Sequence, residues 1–446
     1  MSGAFAGERA VVVGLGISGR ASALALAEEG ADVRVTESRA DVELPSALAD
    51  LGVELLGGGH DPAHLDGASL VVVSPGVPPT TAVLGWARRR GLPVWGELEL
   101  GARLARVPYV AVTGTNGKTT TTGMIAAILA AAGIDAPACG NYGHPFPTAA
   151  RERHDALVVE ASSFQLDVQT SFHPRVSVLL NLAPDHLDWH GTFEAYADAK
   201  ATIFALQHGD DVHVGNRDDA ASAARSRAAR CEVRWFTLDE PDRGDVGYAG
   251  RTLVARWGSD PVALGVPSYD MPAVRADAAA AAAAAHAFGA SDGAIREGLA
   301  GFVPAPHRGE TVATADGVRF VDDSKATNPH ATLAALGGAE GVVLIAGGDA
   351  KGVDLTPIGA LAPRLTGVVA IGATADEVVD LFERSVPTRK AGSIEEAVRT
   401  AFELAPRPGE VLLAPACASW DMFRDYEERG DRFTAAARAI EEEVRT

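Results

Sequence analysis

Cysteine is scarce in this chain of 446 residues: Cys139, Cys231 and Cys417 are the only three. They are too widely spaced for a thiolate metal site or a disulfide framework, which fits a reducing compartment. Basic residues are also in deficit, 39 Lys and Arg against 59 Asp and Glu, for a formal net charge of −20. That balance argues against general affinity for nucleic acid or anionic membranes, both of which need a basic surface. It leaves room for small anions, because a few backbone N–H groups and one or two cations can hold a phosphate on an acidic protein. No apolar run approaches the ~18 residues of a spanning helix. The N-terminus leads into the strand-like Ala10-Val11-Val12-Val13 without an apolar leader, so a cytoplasmic location is expected. No short-period repeat is present.

Apolar residues at 47% and charged residues at 22% are the balance of a folded globular protein, and the length suggests about three domains. Strands are expected at 10–13, 32–36 and 70–73, with a helix over 20–29. A second cycle opens with a strand at 109–113 and a helix over 119–132, followed by buried strands at 157–160 and 176–181. The alanine run 277–285 reads as a tightly packed helix of small residues. After a proline-rich break at 302–306, strands are expected at 318–321, 342–346, 368–371 and 411–414. The fold class is therefore α/β with three domains. These are a Rossmann-like N-terminal domain (1–98), a central P-loop ATPase-type domain (99–304) and a C-terminal Rossmann-like domain (305–446).

The most specific motif is Thr113-Gly114-Thr115-Asn116-Gly117-Lys118-Thr119-Thr120, between a strand and a helix. The N–H groups of a glycine turn and the positive helix end bind phosphate oxygens. Lys118 would reach the β/γ-phosphates and the Thr119 hydroxyl a Mg²⁺ ion. Val112 stands where the usual pattern has glycine, making this a shortened variant. Glu160 ends an apolar strand, where P-loop proteins place a metal-holding carboxylate. Asp185-His186-Leu187-Asp188-Trp189-His190 has no zinc spacing but suits one imidazole among oxygen ligands around Mg²⁺, with His186 the better candidate. Lys200, as a cation, could ligate metal only after chemical modification.

Gly14-Leu15-Gly16-Ile17-Ser18-Gly19 also follows a strand and opens a helix, and Glu37 lies where an acidic ribose contact belongs. Alone, this points to an NAD-dependent dehydrogenase. It establishes only that a phosphate or pyrophosphate could sit there. Ser74-Pro75-Gly76 forms a second turn of that type or an ordinary strand-ending turn.

Taken with Ser162-Ser163-Phe164-Gln165-Leu166, Asp322-Asp323-Ser324-Lys325-Ala326-Thr327-Asn328 and Pro415-Ala416-Cys417-Ala418-Ser419, these motifs resemble those of the Mur ligase family over nearly the whole chain. The resemblance implies an ATP- and Mg²⁺-dependent ligase, acting as a monomer, that adds D-glutamate to UDP-N-acetylmuramoyl-L-alanine in peptidoglycan precursor synthesis. It reassigns the first loop from NAD to the uridine diphosphate, with Gly16, Ile17, Ser18, Glu37, Ser38, Arg39, Ser74 and Gly76 along it and Asn141 near the muramoyl group. Gly114 to Thr120, Arg308, Asp322 and Lys325 would contact ATP. Glu160 would hold one metal, and His186 and a carbamylated Lys200 a second. Thr327, Lys351, Ser419 and Tyr426 would surround the incoming amino acid. Lys118, His186 and Lys200 carry the catalytic expectation. The family pattern has leucine at Trp420, phenylalanine at Tyr426 and a nucleotide-touching asparagine at Asp277. The Asp-Asn-Pro-Arg motif of diaminopimelate-adding relatives is missing. A sister amide ligase, a dehydrogenase and a non-catalytic nucleotide-binding regulator remain the alternatives.

Overall fold

Ala10, Val11, Val12 and Val13 have no solvent exposure, as expected of a strand covered on both faces in a parallel sheet. The computed structural model describes residues 3–141, 143–267, 272–337 and 339–446. Five parallel strands make the first sheet: β1 (Arg9–Val13), β2 (Asp32–Thr36), β3 (Glu54–Leu56), β4 (Leu70–Val73) and β5 (Val94–Gly96). Their order, β3-β2-β1-β4-β5, puts a topological switch between β1 and β4. Loops leaving the carboxyl ends of such strands diverge and open a ligand crevice.

The second sheet contains β6 (Tyr109–Thr113), β7 (Ala138–Gly140), β8 (Leu157–Glu160), β9 (Val176–Leu179), β10 (Gly209–Asn216), β11 (Cys231–Phe236), β12 (Val246–Ala249), β13 (Thr252–Ala255) and β14 (Val262–Gly265). In the order β14-β13-β12-β11-β10-β9-β6-β8-β7, β6 lies between β8 and β9, and its register sets Val112 beside Glu160. The third sheet, β15 (Glu310–Ala315), β16 (Val318–Asp322), β17 (Val342–Ala346), β18 (Leu365–Ala370), β19 (Thr388–Lys390) and β20 (Gly409–Leu413), runs β15-β16-β20-β17-β18-β19, parallel except for β15. By contacts the chain forms two compact units. The first, Met1–Leu182, Ala197–Ser268 and Ala276–Phe302, holds the first two sheets; the second is Ala183–Tyr196, Tyr269–Arg275 and Val303–Thr446.

Most expected elements stand within a few residues of their places. The first helix is Ile17–Glu28, three residues earlier than the sequence suggested, because Gly16 in extended conformation serves as its N-cap. The segment carrying Lys200 is an α-helix over Phe193–Ala201 that tightens into a 3₁₀ turn at Thr202–Phe204. The antiparallel pairs β12–β13 and β13–β14 were not expected. Their strands are only four residues long, too short for alternation to register. Ala278 to Ala285 are all fully buried within the helix Pro272–Phe288, so the alanine run is a packing device.

His213 on β10 is fully buried, with Nδ1 2.7 Å from Ser177 Oγ and Nε2 2.9 Å from Ser226 Oγ. Burial lowers its pKa from 6.5 to about 3. The unfolded chain takes up this proton near pH 6.5 and the folded chain does not until about 3. The contribution is therefore fully present above the higher value and is lost as pH falls through that window, at ~1.4 kcal/mol per pH unit. Between pH 6.5 and 5.5, the wild type should lose about 1 kcal/mol more stability in urea titrations than a His213→Gln variant does. Equal losses would contradict a buried neutral imidazole.

Candidate active site

At the switch point of the first sheet lies a cavity of about 580 Å³, lined by Gly14–Ser18 after β1, Glu37, Ser38 and His60 after β2 and β3, Ser74–Pro78 after β4, and by Asn141 and Gln165 from the central region. Gly19 lets the first helix close onto the strand. A Cβ there would meet the Gly14 carbonyl oxygen at 2.0 Å and Ser74 Oγ at 2.7 Å. Glu37 anchors the loop by accepting the Leu15 N–H at 2.8 Å. Its burial is outweighed by hydrogen bonds from the Arg39 side chain, the Leu15 and Arg39 N–H groups and Ser38, which hold its pKa at about 2. Ser18 hydrogen-bonds Glu97.

The phosphate-type loop leaves β6 into the helix Lys118–Ala131, with Gly117 left-handed at φ +84° as its N-cap. Asn181 braces the loop from the end of β9. Its carbonyl oxygen accepts Thr115 N–H at 2.8 Å and its side-chain oxygen Asn116 N–H at 2.9 Å. Lys118 Nζ donates to the carbonyls of Gly114 and Thr115, both at 2.9 Å, and Lys200 Nζ, nearly fully buried, donates to Gly114 O at 2.8 Å. Two ammonium groups thus converge on one turn. A Cβ on Gly117 would fall 2.1 Å from Asp277 Oδ1. Gly117→Ala is therefore expected to distort the loop and weaken ATP binding about tenfold or more, read by calorimetry on protein with unchanged circular dichroism. Unaltered affinity would refute the loop's role.

Glu160 ends β8 next to the loop and is almost wholly buried. Its Oε1 accepts from Asn141 Nδ2 at 2.9 Å, and its Oε2 is buried without a hydrogen-bond partner. A buried carboxylate oxygen in that state is costly unless something charged completes it. Together with the Thr119 hydroxyl in the first turn of the adjoining helix, the donor set is hard oxygen, which fits Mg²⁺. Among the described residues no group of three or more His, Cys, Asp or Glu gathers as a metal site.

The second unit holds the remaining candidates. His186 is left-handed at φ 51° and sits at the N-cap of the short helix Leu187–His190. Lys351, left-handed at φ 53°, forms a buried ion pair with Asp185 at 2.6 Å, and Asn328 Nδ2 donates to the other Asp185 oxygen at 3.2 Å. Asp322, with no exposure, holds His307 at 2.7 Å, the Ser324 N–H at 2.9 Å and the Thr434 hydroxyl at 3.3 Å. Arg308 Nε and Nη2 are buried without a hydrogen-bond partner, a disposition suited to an anionic ligand. Lys325 Nζ stands 3.7 Å above the Tyr426 ring, a cation–π contact. Ser419 is buried and its carbonyl starts the turn to Phe423. The Thr327 N–H bonds to the Lys325 carbonyl oxygen. Arg429, fully buried, ties Ser324 to the Cys417 carbonyl, and burial lowers its pKa to about 10.

Sequence reasoning did not single out Glu97, Asn181, Gln165, His60 or the Asp185–Lys351 pair. Gln165 was within reach. With Ser162 it closes a capping box, the Ser-x-x-Gln signature of a helix start. Its side chain faces Glu97 at 3.5 Å, whose pKa burial raises against hydrogen bonds from Ser18, Phe146 N–H and Gln165. The other contacts join residues distant in sequence and leave no local signal.

Sequence profiles match all three regions: the Mur ligase MurD-like N-terminal domain at residues 8–96, the Mur ligase middle domain at 112–253 and the Mur ligase glutamate ligase domain at 307–417. The UDP-N-acetylmuramoylalanine–D-glutamate ligase of Frankia casuarinae is 44% identical over 451 residues, covering 98% of this chain and 95% of its own. That of Streptomyces coelicolor is 41% identical over 473 residues, covering 99% and 100%. Among solved structures, a pseudomurein peptide ligase type C from Methanothermus fervidus is similar, with TM-score 0.63 and 19% identity, covering 97% of this chain and 100% of its own. The UDP-N-acetylmuramate-alanine ligase of Thermotoga maritima has TM-score 0.59 and 19% identity, covering 97% and 99%. At that identity the structural likeness concerns the fold alone. The sequence identity to the curated ligases, sustained over almost their whole length, is what decides the matter: the chain belongs to the Mur ligase family.

Proposed function

We propose that this protein is an ATP-dependent ligase that joins the amine of D-glutamate to the carboxylate of UDP-N-acetylmuramoyl-L-alanine, releasing ADP and phosphate, in cytoplasmic peptidoglycan precursor synthesis. Residues 1–98 hold the uridine diphosphate, 99–304 the ATP and 305–446 the amino acid. The observation that carries the reaction class is the buried, unpartnered Glu160 Oε2 beside the phosphate-type loop. The substrates follow from the names of the relatives that match along the whole chain.

The substrate carboxylate attacks the γ-phosphorus of ATP. The bond to the β-bridging oxygen breaks, and ADP leaves an acyl-phosphate. Amine attack on its carbonyl carbon then expels phosphate, which carries away the proton lost by the amine nitrogen. Two anions meet in the first step, and unit charges 4 Å apart repel by about 4 kcal/mol at an effective dielectric of 20. Lys118 turns from its own loop carbonyls to the phosphates and offsets part of that repulsion. Glu160 and Thr119 would hold Mg²⁺, which when bound would neutralise charge developing on the transferred group. His186 would serve a second ion, as would Lys200 once its ammonium, which donates to the Gly114 carbonyl, is converted to a carbamate, and Lys351 would pair with the side-chain carboxylate of the amino acid. Arg308, Asp322 and Lys325 lie along ATP, and Thr327, Ser419 and Tyr426 around the amino acid. Water must be excluded, since it would hydrolyse the acyl-phosphate.

The test is phosphate release from ATP with Mg²⁺ and UDP-N-acetylmuramoyl-L-alanine against a panel of amino acids. Turnover with D-glutamate alone is expected. Turnover confined to an L-amino acid or diaminopimelate would move the enzyme to a sister activity, and none with any amine would leave a nucleotide-binding regulator.

A further inference from the structure

Glu37, the acid that a glycine-rich fingerprint assigns to a ribose, is fully engaged within the protein. Its Oε2 accepts from Leu15 N–H and Arg39 Nη2, and its Oε1 from the Ser38 hydroxyl and from Arg39 N–H and Nε. A ligand donor entering the cavity needs an acceptor elsewhere. His60 lines the same cavity. Its Nδ1 lies 2.8 Å from the Thr36 hydroxyl, which is fully buried and lies 2.9 Å from His64 Nδ1 as well. His64 Nδ1 also faces the Asp61 N–H at 3.4 Å within a capping box, so it acts as an acceptor. The Thr36 hydroxyl has one proton. It goes to His64, and the Thr36 oxygen then accepts from His60 Nδ1–H. That tautomer leaves a lone pair on His60 Nε2, for which no hydrogen-bond partner exists among the described residues. Burial lowers the pKa of His60, with Glu37 opposing and His64 assisting, which keeps the ring neutral.

We propose that His60 Nε2 is the hydrogen-bond acceptor that reads a donor on the uridine, either the ring N3–H or the ribose 2′-hydroxyl, and so positions the nucleotide in this cavity. This rests on the cavity holding the uridine diphosphate. Of the two, the ring N3–H is the donor that would select uridine, because cytidine presents an acceptor at N3 and would set lone pair against lone pair, whereas the 2′-hydroxyl donates in every ribonucleoside. His60 is a specificity residue with no part in phosphoryl transfer. The buried Thr36 and the His64 capping box exist, in this reading, to hold its proton on the far nitrogen.

The test is calorimetric binding of uridine diphosphate, 3-methyluridine diphosphate and 2′-deoxyuridine diphosphate to the full-length wild type, His60→Ala and His60→Gln. Wild type should bind one analogue about tenfold more weakly than uridine diphosphate. His60→Ala should bind uridine diphosphate about tenfold more weakly and no longer distinguish that analogue. Loss with the 3-methyl compound assigns the base, and loss with the deoxy compound the ribose. His60→Gln, whose amide oxygen can stand near Nε2, should recover part of the difference. If His60→Ala fails to fold, the wild-type series and His60→Gln still decide. Wild type that binds uridine diphosphate yet loses the same factor on each analogue as His60→Ala overturns the role of His60 alone. Wild type that does not bind uridine diphosphate removes the nucleotide from this cavity and the proposal with it.

Discussion

Lys118→Ala should lower phosphate release at saturating substrates by about three orders of magnitude, the upper range for removing one preorganised electrostatic contact to a transition state. The side chain belongs to the first turn of the helix Lys118–Ala131, so its charge adds to the positive helix end. Its Nζ is already confined near the loop by two carbonyls at 2.9 Å, and only a short swing is needed to reach a phosphate. Truncation removes that charge where two anions must meet. It also costs the Gly114 and Thr115 carbonyls a donor, though Lys200 still donates to Gly114 at 2.8 Å. Stability should therefore fall by only ~1 kcal/mol. Rapid-quench measurement of the phosphoryl step together with urea unfolding separates the two effects. Turnover within tenfold of wild type in a folded variant would remove the loop from the chemistry. Lys118→Arg should recover charge but not position, because the planar guanidinium does not present a compact ammonium to the phosphates.

How much of this was readable beforehand depends on how local each feature is. β2, β4, β6, β8 and β17 fall on the expected residues, because β2 alternates polar and apolar residues and the other four are short, mainly apolar runs between turn signals. The phosphate-type loop was readable for the same reason: strand, glycine turn, lysine and helix are contiguous. Glu160 could be placed at a strand end, but its unpartnered Oε2 and its bond from Asn141 depend on β8 lying between β6 and β7, which no local pattern encodes. Lys200 shows the same limit. On its helix it reads as a surface lysine, yet it is buried against Gly114, 86 residues away in sequence. Tautomers are further removed still. The proton on His60 is set by Thr36 and His64 jointly, and three residues from two segments must be in place before the question can be posed.

Lys351→Ala should cost ~3 kcal/mol of stability, and the reason bears on how the amino acid is bound. The ammonium and the Asp185 carboxylate meet at 2.6 Å with side chains only 6% and 7% exposed. Breaking a buried pair by deleting one partner costs about 3–5 kcal/mol, chiefly because the remaining charge is left without compensation. Asp185 keeps the Asn328 amide at 3.2 Å and the His186 N–H at 2.9 Å, which places the cost at the low end. If Lys351 also receives the side-chain carboxylate of D-glutamate, that carboxylate competes with Asp185 for one cation, and the same variant should raise KM for the amino acid at least tenfold. Combining Lys351→Ala with Asp185→Asn separates the roles. The neutral amide no longer needs a cation, so most of the stability should return while KM stays high. A stability loss under ~1 kcal/mol in the single variant would mean that the pair is solvated. A KM restored in the double variant would mean that Lys351 acts only by holding Asp185, and the carboxylate of the incoming amino acid would then have to be received by another cation of the second unit.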